Sequence, residues 1–173
     1  TITFDKGYEY SSNVGIANLL DRYLSKKDLK DCLTKYGFGK TTGIELSREQ
    51  DGDIQFNYPI EVATAGFGQG ITTTAIQQFQ ALTMIANNGR MLKPHIIDRI
   101  VDPNSGEVTY KSKVEKSEQL VSTTTINKMK DLMYNVIHGT DPGSTGYMYK
   151  IDGFDIIGKT GTAQIYDTET GEW

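Results

Sequence analysis

Apolar residues recur three and four positions apart through much of the chain, and strict two-residue alternation is rare. Val14, Ala17, Leu20 and Leu24 follow Asn13 at helical spacing and predict an amphipathic helix. Thr3 can cap a shorter helix running from Phe4 toward Tyr10, and Asp28 to Tyr36 reads as another, stopped by Gly37. Residues 39–59 are rich in glycine and charge without a period, so they read as loop. The glycine-dense turn Gly66-Phe67-Gly68-Gln69-Gly70 precedes Thr72 to Thr74, which offer N-caps to a helix from Ala75 to Ala86. Asn88-Gly89 ends that helix, and Ile76, Phe79, Leu82 and Ile85 are its predicted buried side. Ile96 to Val101 and Val108 to Lys111 flank Asp102-Pro103-Asn104-Ser105-Gly106, the pattern of a β-hairpin. Ser122 or Thr123 caps a helix to Ile137 with the stripe Ile126, Met129, Met133, Val136 and Ile137. After a loop at 139–146, residues 154–166 have strand character, residues 168–171 form a turn, and Glu172-Trp173 begin a returning strand.

The chain has 173 residues, enough for a core of its own. An apolar fraction of 37% and a charged fraction of 23% suit a globular fold. A net charge of −4 gives no general attraction to nucleic acid or to an anionic membrane. No apolar run approaches the roughly eighteen residues that a membrane-spanning helix needs. The start, Thr1-Ile2-Thr3-Phe4-Asp5, lacks the basic and apolar regions of a signal peptide. Cys32 is the sole cysteine, which precludes an internal disulfide and reads as a small hydrophobe. His95 and His138 are far apart and lack acidic or cysteine companions, so no metal site is expected and no cofactor is implied.

The run Lys159-Thr160-Gly161-Thr162-Ala163-Gln164 carries the strongest chemical signal. On a strand, alternation would put Lys159 and Gly161 on one face, Thr160 and Thr162 on the other. Gly161 removes a side chain where a ligand must approach the backbone. A cation and hydroxyls beside an open strand suit an extended ligand with a carboxylate. The overlapping stretch from Gly153 to Thr160 also matches the phosphate-loop pattern G-x-x-x-x-G-K-[ST]. Its context argues against that use. Phe154, Ile156 and Ile157 occupy the loop, and no amphipathic helix follows to present backbone amides to a phosphate. The second motif is Ser11-Ser12-Asn13, whose bland reading is a polar turn between two helices.

Ser-x-Asn followed by Lys-Thr-Gly is the order found in penicillin-binding proteins and class A β-lactamases. Four landmarks together resemble a class B penicillin-binding protein. They are Tyr10-Ser11-Ser12-Asn13-Val14-Gly15, Gly66 to Thr72, Ala86-Asn87-Asn88-Gly89 through Leu92-Lys93-Pro94, and Gly158 to Gln164. The 148 positions from Ser11 to Lys159 resemble those large enzymes better than the compact β-lactamases. The resemblance implies an α/β (α+β) fold of the β-lactamase/transpeptidase type, an antiparallel sheet flanked by helices, present in part. It implies a serine D,D-transpeptidase acting on peptidoglycan stem peptides that end in D-Ala-D-Ala, and inhibited by β-lactams. Ser11 would relay a proton to the leaving group, Asn13 would hold the acyl-side amide, and Lys159 would supply positive field. Ser12, Thr160, Gly161, Thr162 and Gln164 would bind substrate, with Thr160 and Thr162 on its carboxylate. The Thr162 N–H would be one oxyanion donor.

No serine of the chain has a lysine three residues on, so the family's Ser-x-x-Lys nucleophile is expected before Thr1, and further strands beyond Trp173. Residues 1–173 would then be part of the domain, inactive alone. A membrane anchor outside this stretch, an extracytoplasmic location and cell-wall synthesis partners are further implications of the family. A serine β-lactamase or β-lactam sensor, and a catalytically dead interaction module of the same fold, are the competing readings.

Overall fold

Hydroxyl caps start the first two helices, one at the expected Thr3 and one at Ser12. In this computed structural model, which describes residues 2–162 and 169–171, Thr3 Oγ1 accepts from the Lys6 N–H and opens α1, Phe4–Glu9. Ser12 Oγ accepts from the Gly15 N–H at 3.1 Å and opens α2, Asn13–Tyr23. The next helix, α3, spans Lys26–Lys35 and starts two residues before the expected Asp28. The cause is a reciprocal cap: Asp28 N–H donates to Ser25 Oγ at 3.1 Å, and Ser25 N–H to Asp28 Oδ2 at 3.0 Å. Gly37, at φ +91, ends it as expected, with Phe38 N–H reaching the Leu33 carbonyl.

A helix that periodicity did not predict, α4, covers Pro59–Ala65. Pro59 at its first turn and the Glu61 carboxylate, which accepts from Tyr58 N–H at 2.9 Å, are its start signals. Then come α5, Ala75–Ala86; the strands β1, Arg99–Val101, and β2, Val108–Lys111; α6, Thr123–His138; and a 3₁₀ turn, Tyr147–Tyr149. Among the described residues no helix is long and apolar enough to cross a membrane.

Chain contacts group into two units. One comprises residues 1–29, 55–71 and 127–173. Its core holds Leu20, Phe56, Ala65, Met133, Val136 and Ile137, so the stripe expected on α6 is buried as predicted, with Met129 half-buried. Gly66, at the end of α4, lets that helix press on α2. A Cβ there would stand 2.2 Å from Leu20 Cδ1.

The other unit comprises residues 30–54 and 72–126, around Met84, Met91 and Ile126. Its helix α5 differs from expectation in the face it buries. Phe79 and Leu82 are exposed, whereas Gln77 and Met84 are buried. The Gln77 amide explains this: its Nε2 donates to the carbonyls of Lys40 (2.7 Å) and Asp51 (2.8 Å), its Oε1 caps Thr74 N–H, and the polar group sets the helix rotation. The hairpin forms with Ile100 opposite Tyr110, but its first strand begins only at Arg99. Asp102 Oδ1 accepts the Asn104 and Ser105 N–H groups and fixes the turn.

Candidate active site

Ser11 lies in the three-residue turn between α1 and α2, as expected. Its backbone is left-handed, at φ +54, an uncommon state for a serine and one that concentrates at functional sites. The flanking amides hold it there, with Ser11 N–H donating to the Tyr8 carbonyl and Ser12 N–H to that of Gly7.

Residues 154–162 approach this turn without forming the expected strand. Among the described residues nothing pairs with them in a ladder, which is what defines a strand. Their ties run instead to α6 and to the loop after it. His138 Nε2 bonds the Ile156 carbonyl at 3.1 Å, with its ring stacked on Tyr134. Gly158 N–H reaches the Met133 carbonyl at 3.3 Å, and Thr160 Oγ1 lies 2.8 Å from Thr145 Oγ1. Lys159, Thr160, Gly161 and Thr162 all line one cleft of about 660 Å³ together with Ser11, Ser12 and Asn13.

Lys159 Nζ donates to Ser11 Oγ at 2.6 Å and to the Thr160 carbonyl at 2.9 Å. Its ammonium also stands 5.7 Å from the centre of the Tyr8 ring. Burial lowers the Lys159 pKa from the ordinary lysine value and raises that of Tyr8. An ammonium only donates, so the single hydroxyl proton of Ser11 must point away from Lys159. Ser12 Oγ is engaged as the α2 cap, and Asn13, the first residue of α2, is exposed at the cleft. Among the described residues, a Cβ at Gly161 would meet no atom within 4 Å. Gln164 lies outside the described residues.

Three residues of the arrangement escaped the sequence reading. Tyr8 sits one helical turn before Ser11, a spacing that could have pointed to it. Thr145 lines the cleft from the loop after α6, and no local pattern marks it. Glu9 is a buried carboxylate behind both. Its side chain accepts from Lys6 Nζ at 2.8 Å and from the Ser144 hydroxyl, and its carbonyl accepts from Thr145 N–H at 3.4 Å. Burial pushes the Glu9 carboxyl up, but the hydrogen bonds from Lys6 and Ser144 outweigh it and hold the group below its usual value. Among the described residues no three His, Cys, Asp or Glu side chains converge as metal ligands. The arrangement can therefore hold an anionic ligand between Lys159 and the threonine hydroxyls, and pass a proton through Ser11.

The whole chain, residues 1–173, matches the family model described as the penicillin binding protein transpeptidase domain. Stage V sporulation protein D of Bacillus subtilis is 32% identical over 94% of this chain and 25% of its own length. The chain thus spans about a quarter of the length of that relative. Among solved structures, penicillin binding protein 2X of Streptococcus thermophilus superposes with a TM-score of 0.86 at 34% identity, over 98% of this chain and 25% of the other. Penicillin binding protein 3 of Mycobacterium tuberculosis, complexed with aztreonam, superposes with a TM-score of 0.85 at 29% identity, over 98% and 39%.

Proposed function

We propose that this chain, which belongs to the penicillin-binding protein transpeptidase domain family, supplies the proton-relay and carboxylate-binding side of a serine acyl-transfer site. One observation carries the reading: Lys159 Nζ and Ser11 Oγ meet at 2.6 Å although 148 positions separate them. A serine in a Ser-x-x-Lys element attacks the penultimate carbonyl of a D-Ala-D-Ala stem peptide. Ser11 hands its proton to the departing D-alanine amine and takes up the one that the attacking serine has given to the lysine of its own element, while Lys159 keeps the Ser11 hydroxyl oriented and stabilises negative charge. Asn13 holds the amide on the acyl side. Thr160 and Thr162 donate to the terminal carboxylate, and Thr162 N–H shares the oxyanion. Ser12, Gly161 and Gln164 complete the substrate wall. The amine of a neighbouring stem peptide then attacks the acyl-enzyme and forms the cross-link.

A β-lactam carries a carboxylate and an acyl carbonyl and would enter the same way; the mycobacterial relative holds aztreonam. Hydrolysis by a β-lactamase needs an added base for water, and no carboxylate is among the described residues lining the cleft. Stem peptides lie outside the cytoplasmic membrane, so the reading places the domain there, with its anchor and cell-wall synthesis partners on other segments.

The test uses a fluorescent penicillin. The full-length protein should form a stable adduct on a serine of a Ser-x-x-Lys element, and Ser11→Ala should slow its formation by roughly a hundredfold. Residues 1–173 alone should form none. An adduct on Ser11 or Ser12 would overturn the assignment.

A further inference from the structure

The hydroxyl of Thr160 has a neighbour that the family motif does not specify. Thr145 Oγ1 lies 2.8 Å from Thr160 Oγ1 and 3.3 Å from the Glu9 carbonyl, and both threonines line the cleft. Each hydroxyl owns one proton, and the Glu9 carbonyl can only accept. Thr145 therefore donates either to Glu9 or to Thr160, never to both.

If Thr145 donates to Glu9, Thr160 must spend its own proton on Thr145 and turns only lone pairs toward the cleft. That face repels a carboxylate. If Thr145 donates to Thr160, the Thr160 proton is free for a ligand oxygen. The rotation costs the Glu9 carbonyl one long bond, but Thr145 N–H still donates to it at 3.4 Å. The backbone behind is fixed, because Ser144, 2% exposed, donates its hydroxyl to the buried Glu9 carboxylate. The scaffold stays still while two protons rotate.

We infer that Thr145 is a positioning residue of the carboxylate subsite, a second hydroxyl that donates to Thr160 when an anionic ligand binds and so sets preference for a carboxylate over its neutral ester. The inference rests on the reading of Thr160 as a carboxylate ligand. A chain of two hydroxyls also polarises the outer one, which strengthens its bond to the anion.

The test compares acylation of the full-length protein by a penicillin and by its methyl ester. The ratio of the two rate constants on one preparation cancels any inactive fraction. Thr145→Val frees the Thr160 proton but removes the donor that polarises it in the bound state, and should lower the preference for the free acid by about two- to fourfold. Thr145→Ala, which adds no apolar branch, should do the same, and Thr145→Ser should restore the parent ratio. A purely structural role would lower both rates together and leave the ratio unchanged, which would overturn the inference. Thr160→Val separates the two levels. If it too leaves the ratio unchanged, the carboxylate reading of Thr160 fails and this inference with it. If it collapses the ratio while the Thr145 variants do not, only the role of Thr145 is lost.

Discussion

Two lysines, one within α1 and one in contact with it, lie over tyrosine rings and come to opposite ends. Lys6 Nζ stands 5.6 Å from the Tyr10 ring centre, and Lys159 Nζ 5.7 Å from that of Tyr8. Lys6 also meets two carboxylates, Glu9 at 2.8 Å and Asp141 at 3.4 Å. The bond to Glu9, above all, raises its pKa. Lys159 meets a hydroxyl and a carbonyl, and burial lowers its pKa. A cation neutralised by its own chain is committed to holding the fold. A cation whose partners are neutral keeps its field for a ligand, at some cost in desolvation.

The sharpest way to break this contrast is to remove each ammonium in turn from the full-length protein. Lys159→Met should slow acylation by a penicillin by about a hundredfold or more, because both the field and the orientation of Ser11 go with it. Its thermal midpoint should stay near that of the parent. Lys6→Met should do the reverse, lowering the midpoint while acylation changes by less than about fivefold. Equal losses of acylation in both variants would erase the distinction.

A smaller effect is expected from the carboxylate behind Lys6. Glu9→Ala leaves the buried Ser144 hydroxyl without its acceptor and removes one of the two carboxylates at Lys6, and should destabilise the fold by about 2 kcal/mol. Glu9→Gln, which keeps an acceptor oxygen, should cost less. Urea unfolding checks both, and an Ala variant as stable as the parent would show that the buried network contributes nothing.

The smallest effect is a difference in slope with pH. The folded-state pKa of Lys6 is raised above 10.5, so its stabilisation is fully present below 10.5 and is lost as pH rises through the folded value. Lys159 has the opposite sign. Its folded value is lowered from 10.5, so over the interval between them the unfolded chain binds more protons and stability rises with pH. Subtracting the unfolding curve of each Met variant from that of the parent isolates each lysine. Two slopes of the same sign would refute the contrast.

The cleft was legible to different depths. Ser11 and Lys159 stand out as motif residues, and the turn holding Ser11 is expected between the helix capped by Thr3 and the one following Asn13. The strand expected at 154–166 shows the limit. Residues 154–162 have strand composition, yet their hydrogen bonds go to α6 and the loop behind it, and a strand is defined by its partners. On α5 an apolar period pointed to Phe79 and Leu82, but the hydrogen bonds of Gln77 outranked it.

What the sequence by itself determined is what lies within a few residues of reach. Helix starts at Thr3, Ser12 and Thr74, the stop at Gly37 and the turn at Asp102 are bonds between near neighbours, so their spacing is written in the chain. Tertiary structure alone decided which hydroxyl stands behind Thr160, that Lys159 meets the Ser11 hydroxyl where Lys6 meets carboxylates, and that Glu9 reaches Ser144 across 135 positions. Those contacts depend on where the loop after α6 passes Glu9. Packing sets such distances to fractions of an ångström, and no local period encodes them.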